Sequence, residues 1–316
     1  MIQFANVSKQ YPDGIYAVDS INLHIEEGEF FVIIGPSGSG KTTVLKMINR
    51  LIPLSDGTIS INGKRISDYD IHELRWDIGY VLQQIALFPH MTIAENIAIV
   101  PELKKWEQDK IQKRIDELLE MVGLEPEIYR NRKPHELSGG QQQRVGVTRA
   151  LAANPPIILM DEPFSALDPL SKEKLQDDLI DLQQKIKKTI VFVTHDMKEA
   201  LKLGDRICVM KDGEIVQIGS PNELLFNPKN EFVREFVGEG HRQIGEGFTL
   251  HNLLLPISQG EDAEQIISAS ASLDETLSLL SQFDKLAVEE DGQIIGMVNR
   301  QAIIRRLAGN LQKEVK

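Results

Sequence analysis

This sequence has a single cysteine, no long apolar run and no excess of basic residues. The single cysteine, Cys208, rules out a disulfide framework, and its apolar neighbours indicate a small core residue rather than a redox or metal site. No run approaches the roughly 18 apolar residues of a membrane span, so we expect any membrane association to come through a partner. Acidic residues outnumber basic ones by 47 to 35, and the net charge of −12 argues against nonspecific binding to nucleic acid or anionic lipid as the main activity, while it still allows local basic patches.

What the sequence does contain is a phosphate-binding pattern, Gly-Pro-Ser-Gly-Ser-Gly-Lys-Thr, directly after the apolar run Phe30–Ile34. The pattern matches G-x-x-x-x-G-K-[ST] at every required position. Its glycines let backbone N–H groups turn toward phosphate oxygens, and the helix predicted over Thr42–Asn49 adds the partial positive charge of its N-terminus. Lys41 can reach the β- and γ-phosphates of a nucleoside triphosphate, and the Thr42 hydroxyl can bind Mg²⁺. The predicted nucleotide-binding residues of this segment are Gly35, Pro36, Ser37, Gly38, Ser39, Gly40, Lys41, Thr42 and Thr43.

A second apolar run, Ile157–Met160, ends in two carboxylates, Asp161 and Glu162. A buried strand of an α/β sheet delivers such residues to its carboxyl edge, where ligands bind. Asp161 suits Mg²⁺ coordination through water, and Glu162 suits the role of the general base that polarises the attacking water. Alone, this pattern is a weak signal, because apolar strands often end in solvated carboxylates. Its position downstream of the phosphate loop favours the functional interpretation.

The segment Leu137–Gln141 places a serine N-cap and two glycines at a helix start, which predicts a second anion-binding site in the same chain. Together with the phosphate loop, this segment makes the sequence resemble the ATPase subunits of ABC transporters. The resemblance implies a homodimer in which two subunits pair head to tail and sandwich each ATP. The phosphate loop of one subunit then faces a set of residues from the other. That set is Ser138, Gly139, Gly140 and Gln141.

Further motifs extend the resemblance over about residues 1–240. It implies that Gln83 contacts Mg²⁺ and the attacking water, in a loop that meets the membrane subunit. Asp168 then lies in a loop that crosses the dimer interface, and His195 senses the γ-phosphate. Without the resemblance, a histidine at a strand end would be interpreted as an ordinary hydrogen-bonding side chain. The resemblance also implies that Tyr11 stacks on adenine, with Tyr16 as the competing choice.

The element pattern and the resemblance together predict an α/β protein with the P-loop NTPase fold. The resemblance implies a RecA-like core, an antiparallel β-subdomain and a helical subdomain over about residues 88–153. A helix over 169–187 stands between the apolar runs 157–160 and Thr189–Thr194, which predicts a β-α-β unit and therefore a parallel sheet. Glycines and the lack of apolar periodicity over Glu239–Gly247 predict a domain boundary near residue 240.

Residues 1–240 are thus predicted to form the ATPase domain, and residues 241–316 a small α+β domain. Within the second domain, the segment 248–310 resembles a single cystathionine-β-synthase (CBS) motif. The resemblance implies a regulatory role, through sensing of ionic strength or through cyclic di-AMP bound where two tails pair. The segment lacks the aspartate with which such motifs usually hold a ribose, so ordinary ATP or AMP binding is not expected.

The pattern of the tail predicts a helix, two strands and a second helix. Ser272 and Glu275 form a capping box at the start of the first helix. Its leucines Leu273, Leu277 and Leu280 are expected to form an exposed apolar face that pairs with the second subunit of the dimer. The predicted strands and the last helix are Lys285–Glu289, Gln293–Asn299 and Arg300–Leu307.

Three stretches narrow the resemblance to the ATPases of bacterial osmoprotectant importers: Leu45–Leu51, Gln83–His90 and Asn96–Leu103. That resemblance implies import of glycine betaine, carnitine, choline or a similar quaternary amine, with permease subunits and an extracellular substrate-binding protein as partners. It also implies ATP and Mg²⁺ as cofactors and peripheral attachment to the cytoplasmic face of a bacterial membrane. Another small solute is the alternative cargo. A DNA-repair ABC ATPase is disfavoured, because residues 43–136 are too few for its long insertion and the chain is acidic.

Overall fold

The computed structural model describes residues 1–84, 86–165, 167–245, 250–255, 265–271, 273–290 and 292–299. The chain divides into two compact units, Met1–Val237 and Gly238–Lys316. Among the described helices, none combines the length and the apolar composition of a membrane-spanning segment.

A mostly parallel sheet lies at the centre of the first unit. Its strands are β3 (Phe30–Ile34), β6 (Ile78–Val81), β7 (Ile157–Asp161), β8 (Thr189–Thr194), β9 (Arg206–Lys211) and β10 (Glu214–Gly219). Their order is β10-β9-β3-β8-β7-β6, and all pairs are parallel except β9 with β10. Every residue of β3, β7 and β8 is buried, as expected for strands covered on both faces. The predicted parallel sheet is confirmed, and it brings the ends of β6, β7 and β8 to one edge.

An antiparallel sheet forms the second layer of this unit. Its strands are β1 (Ile2–Gln10), β2 (Tyr16–Ile25), β4 (Asp56–Ile61) and β5 (Lys64–Arg65). They follow the order β2-β1-β4-β5. The β4–β5 connection turns at Asn62 and Gly63, whose φ angles of 50° and 77° are those of the left-handed turns that match strand twist.

Helices pack on both faces of the parallel sheet or on one another. They are α1 (Lys41–Ile48), α2 (Ile71–Trp76), α3 (Ile93–Leu103), α4 (Gln108–Met121), α5 (Pro126–Tyr129), α6 (Gly139–Leu151), α7 (Pro169–Ile186), α8 (Met197–Leu203), α9 (Pro221–Phe226) and α10 (Glu231–Gly245). Alternate residues of β3 enter two cores: Val32 lies with the residues of α3, α4 and α6, and Ile33 with those of α1 and the antiparallel sheet. Cys208 is buried in the second core, where burial raises the pKa of its thiol to about 12, so the prediction of a core cysteine is confirmed.

After the end of α10, the described residues of the second unit form a small three-stranded sheet and one α-helix. The elements are β11 (Ile266–Ser268), α11 (Leu273–Gln282), β12 (Lys285–Glu290) and β13 (Gln293–Asn299), after a short 3₁₀ turn at Leu250–Leu253. β11 pairs parallel with β12, and β12 pairs antiparallel with β13. The two predicted strands are present, but β11 was not predicted, because a strand of three residues shows no usable periodicity.

One expectation about this unit is wrong. Leu280 is 1% exposed and packs in the unit's own core with Leu253, Ile267 and Val288, so it cannot belong to an exposed pairing face. The core of the unit takes up this side chain because β11 and the 3₁₀ turn supply covering residues that sequence pattern alone did not show. The predicted cap Ser272 and the predicted helix Arg300–Leu307 lie outside the described residues.

Candidate functional site

The loop between β3 and α1 lies in close contact with the backbone of neighbouring strands, and two of its glycines make this contact possible. A Cβ atom at Gly35 would lie 2.2 Å from the Met210 carbonyl oxygen, and one at Gly40 would lie 2.3 Å from the Ala17 carbonyl oxygen. Gly40 also has a φ of +99°, which disfavours any other residue. The loop therefore curls tightly at the N-terminus of α1, as a phosphate loop must.

Lys41 is held beneath this loop. Its side chain is buried, and its Nζ donates to the carbonyl oxygens of Gly35 at 2.8 Å and Pro36 at 2.9 Å. Burial lowers the pKa of Lys41, while the charges of Glu162 and Asp161 act in the opposite direction. The Ser39 hydroxyl oxygen is buried in the same loop without a hydrogen-bond partner. A fixed cation and an unpaired buried hydroxyl are what a phosphate group would satisfy.

Asp161 closes β7 directly below α1. Its Oδ1 accepts a hydrogen bond from the Thr42 hydroxyl at 2.8 Å, and its Oδ2 accepts one from the Tyr80 hydroxyl at 3.5 Å. Burial raises the pKa of Asp161, and the Thr42 bond opposes that shift. Burial and the nearby Asp161 charge raise the pKa of Tyr80, so the phenol remains a donor. Tyr80 was not predicted, although its place near the end of the strand beside β7 was a signal for it.

Glu162 is the meeting point of the three predicted catalytic side chains. Its Oε2 accepts from Gln83 Nε2 at 3.3 Å and lies 3.1 Å from His195 Nδ1. The backbone of Glu162 has a φ of +45°, an uncommon value for a residue with a side chain, and its N–H donates to the Val193 carbonyl oxygen. The Glu162 side chain is 19% exposed, against 62% for His195. The strand ends thus place one partly shielded carboxylate between an amide and an imidazole.

Part of the phosphate loop and the Glu162 cluster line a cavity of about 570 Å³. The lining residues are Ala17, Ser37, Gly38, Gly40, Lys41, Thr42, Thr43, Gln83, Glu162 and His195. The cavity joins the phosphate loop to the Glu162 cluster, so one ligand can touch both.

Two residues that line the cavity, Thr42 and Gln83, together with Asp161, which is hydrogen-bonded to Thr42, also fit a divalent cation. The Thr42 hydroxyl, the Gln83 amide oxygen and the Asp161 carboxylate are hard oxygen ligands of the kind Mg²⁺ prefers. The described residues contain no group of three or more histidine, cysteine or acidic side chains that could hold a metal on their own. A Mg²⁺ ion here would therefore take its other ligands from water and phosphate, which is its usual behaviour beside a nucleotide.

The predicted second anion site lies elsewhere in the chain. Ser138 caps α6: its Oγ accepts from the Gln141 N–H at 3.3 Å, and Gln141 Oε1 accepts from the Ser138 N–H at 2.9 Å. Neither Ser138–Gln141 nor Asp168 lines the 570 Å³ cavity. Tyr11 does not line it either; that ring is 41% exposed, and Tyr16 is 47% exposed.

The C-terminal half of α6 contacts β6 and the loop after it, which contains Gln83. Arg149 Nη1 donates to the Ala86 carbonyl oxygen at 2.6 Å, and burial lowers the pKa of this guanidinium. A Cβ at Gly79 of β6 would lie 2.4 Å from the Ala150 carbonyl oxygen, so helix and strand are in backbone contact. α6 therefore runs from Ser138, at its N-terminus, to the loop after Gln83, which its C-terminal half contacts.

Comparison with known proteins places these features in a family context. The profile of the family described as ABC transporter matches residues 18–165. The glycine betaine/carnitine/choline transport ATP-binding protein of Bacillus subtilis is 51% identical over 308 residues, covering 96% of this chain and 77% of the relative. The osmoprotectant import ATP-binding protein of Salmonella typhimurium is 48% identical over 312 residues, covering 95% of this chain and 80% of the relative. A solved dimeric ATP-binding cassette, in a post-hydrolysis state bound to ADP and Pi, is 43% identical with a TM-score of 0.63 and covers 70% of this chain and 99% of its own.

Proposed function

Because the chain belongs to the family of ABC-transporter ATP-binding proteins, we propose that it hydrolyses ATP to drive import of a quaternary-amine osmoprotectant. The observation that carries the chemistry is the contact of Gln83 and His195 with one carboxylate, Glu162, in the cavity that the phosphate loop lines. Relatives described as importers of glycine betaine, carnitine, choline or osmoprotectants support the cargo.

In this proposal the side chains of one subunit divide the work on ATP. The phosphate loop and Lys41 bind the β- and γ-phosphates, and Glu162 accepts a proton from the attacking water. Gln83 and His195 hold that carboxylate in position through the contacts described above. Thr42, Gln83 and Asp161, the last through water, would hold Mg²⁺, which supplies positive charge opposite the phosphate oxygens when bound.

The site is completed by a second copy of the chain. Ser138, Gly139, Gly140, Gln141 and Asp168 do not line the cavity of their own subunit, and we assign them to the cavity of the partner. The N-terminus of α6 then faces phosphate with its partial positive charge. The dimeric state of a 43% identical cassette supports this arrangement.

The remaining parts of the proposal concern the surroundings of the ATPase. The partners are integral-membrane permease subunits and an extracellular substrate-binding protein, and the ATPase dimer lies at the cytoplasmic face of the membrane. Tyr11 stacks on the adenine base. The tail over 241–316 is a CBS-type regulatory domain that responds to ionic strength or to cyclic di-AMP.

Uptake by cells tests the cargo separately from the chemistry. In a strain without other osmoprotectant importers, deletion of this gene is expected to abolish high-osmolarity uptake of at least one labelled solute among glycine betaine, carnitine and choline. Restoring the wild-type gene is expected to return uptake, and restoring Glu162→Gln is not. Normal uptake of all three solutes after deletion would overturn the assigned cargo. Uptake restored by Glu162→Gln would overturn the assigned chemistry.

A further inference from the structure

A second large cavity lies in the first unit, where α1 ends. It has a volume of about 710 Å³, and three arginines line it: Arg50, Arg65 and Arg75. Its apolar lining includes Ile52, Leu54, Ile59 and Ile66. None of its lining residues carries a carboxylate. We call this site the arginine cavity; it shares no lining residue with the cavity of the phosphate loop.

Arg50 occupies a backbone position that usually belongs to glycine. α1 ends with the Arg50 N–H donating to the Met47 carbonyl and the Leu51 N–H to the Lys46 carbonyl, a pairing that requires a left-handed residue after the cap. Arg50 adopts it with a φ of +48°, which is unfavourable for a residue with a side chain. Its Nη1 donates to the carbonyl oxygens of Ile66 at 3.1 Å and Tyr69 at 3.0 Å. The strained backbone therefore carries a guanidinium that is fixed in the cavity wall.

Arg75 is also held in the cavity by hydrogen bonds to backbone carbonyl groups. Its Nε donates to the Asn49 carbonyl oxygen at 3.4 Å, and its Nη2 donates to the Arg50 carbonyl oxygen at 3.0 Å. These bonds leave Nη1 and its two N–H groups for other acceptors. Arg65, an exposed residue of β5, brings a third guanidinium to the cavity.

The positive charge of the cavity is not neutralised by the protein. Within the described residues, none of the three arginines forms an ion pair with a carboxylate. The pKa of Asp70 is lowered mainly by the hydrogen bonds that its Oδ1 accepts from the N–H groups of Glu73 and His72, where it caps α2. The charge of Arg50 adds a smaller lowering, without an ion pair. Three unpaired guanidinium groups around one cavity are unusual in a chain of net charge −12.

We propose that the arginine cavity binds an organic anion, with a phosphate or carboxylate group at the arginines and an apolar body against the isoleucine and leucine side chains. Guanidinium groups provide paired donors that match the oxygens of such groups, and preformed sites combine an apolar lining with few placed polar groups. The anion is a free metabolite-sized molecule or the headgroup of an anionic lipid, because both present the same chemistry. Its site is separate from the ATP site.

Binding of a simple probe to the full chain tests this proposal. Phenyl phosphate combines a phosphate group with an apolar ring, and phenol is its uncharged counterpart. To silence the phosphate loop, titrations use the Lys41→Ala variant, and a second series uses the wild-type chain with the ATP site saturated by ADP. Arg65→Gln is the test substitution, because Arg65 has no side-chain hydrogen bond to another described residue and its loss leaves the fold intact. Arg234→Gln, at an exposed position of α10, is the control with the same change of charge.

We expect saturable binding of phenyl phosphate at millimolar or lower concentration and none of phenol. Arg65→Gln is expected to weaken it about tenfold, as for a lost hydrogen bond to a charged group, and Arg234→Gln to leave it unchanged. Co-sedimentation with phosphatidylglycerol vesicles that Arg65→Gln reduces, and Arg234→Gln does not, would assign the anion to a lipid headgroup. Binding of phenyl phosphate without vesicle binding would assign it to a free anion. No saturable binding of either probe, or equal effects of the two substitutions, would overturn the proposal.

Discussion

Replacing Glu162 with glutamine removes the proposed base at the one carboxylate that Gln83 and His195 both contact. The amide keeps the size of the side chain and one of its oxygens, but it does not accept a proton from water at neutral pH. Because Glu162 Oε2 lies 3.3 Å from Gln83 Nε2 and 3.1 Å from His195 Nδ1, the new side chain still has polar neighbours. We therefore expect the fold and ATP binding to remain, and the proton-accepting step to be lost.

The expected size of this effect follows from the role assigned to Glu162. A general base contributes about 10²–10⁴-fold in rate, which corresponds to roughly 3–5 kcal/mol in the activation free energy. The loss should appear in kcat. Affinity for ATP should change little, because Lys41 and the phosphate loop are untouched. Lys41→Ala should show the opposite pattern, with weakened nucleotide binding.

The assay combines steady-state hydrolysis by the assembled transporter with equilibrium binding of a fluorescent ATP analogue. Size-exclusion chromatography in the presence of ATP should show dimers accumulating in Glu162→Gln, because bound ATP is no longer consumed. Glu173→Gln, the same substitution at an exposed position of α7, is the matched control and should hydrolyse ATP normally. Hydrolysis by Glu162→Gln at the wild-type rate would refute the assignment of the base.

Four further predictions test other parts of the structure. Specific ATPase activity of the isolated chain should rise with protein concentration, and a constant specific activity across the dimerisation range would contradict the shared site. Gly40→Ala should lower both the Tm and the affinity for ATP, because the new Cβ would lie 2.3 Å from the Ala17 carbonyl oxygen. Gly146→Ala in α6 is the contrasting substitution, because its Cβ would meet no atom within 4 Å. It should raise the free energy of unfolding in urea by about 0.5–1 kcal/mol. The pKa of Asp161 is raised in the folded chain, so the folded state binds its proton more tightly than the unfolded state does. The contribution of Asp161 to the free energy of unfolding should therefore fall as the pH rises from the ordinary pKa of 3.8 to the raised one. Asp161→Asn should abolish that fall, and an unchanged pH profile of the unfolding free energy would count against a buried charge. Truncation after residue 240 should leave hydrolysis by the assembled transporter intact and alter how uptake responds to salt or to cyclic di-AMP; an unaltered response would remove the regulatory role.

Much of the site could be predicted because its geometry is local or follows from strand order. The phosphate loop is one continuous segment, and the pattern of an apolar run ending in two carboxylates placed Asp161 and Glu162 at the carboxyl edge of a parallel sheet, whereas the role of His195 came only from the resemblance. Tyr80 was missed, because the carboxylate that a strand residue reaches depends on the register of the neighbouring strand. For Tyr80 that register is set by the pairing of β6 with β7, where it lies opposite Leu159.

Other features could not be derived from one sequence for a different reason. An apolar stripe such as that of Leu280 shows that the side chain will be covered, but it does not show by what, and here β11 and its neighbours cover it. The arginine cavity depends on a left-handed Arg50 and on carbonyl groups of two separate segments, 49–50 and 66–69, and no motif marks such an arrangement. In the proposed dimer the place of Ser138 relative to ATP depends on a second chain, and the pattern of one sequence does not specify how two copies pair.

The contact of the C-terminal end of α6 with the Gln83 loop has a mechanical consequence in the proposed dimer. In the proposed dimer its first turn contacts the nucleotide of the partner, while Arg149 and Ala150 near its last turn hold the strand and loop of Gln83 in its own subunit. The 13 residues of α6 form a rod about 20 Å long. A helix of this length is a rigid element of the kind that carries coupling between sites. In the proposed dimer each Gln83 loop is therefore coupled through α6 to the nucleotide of the neighbouring subunit.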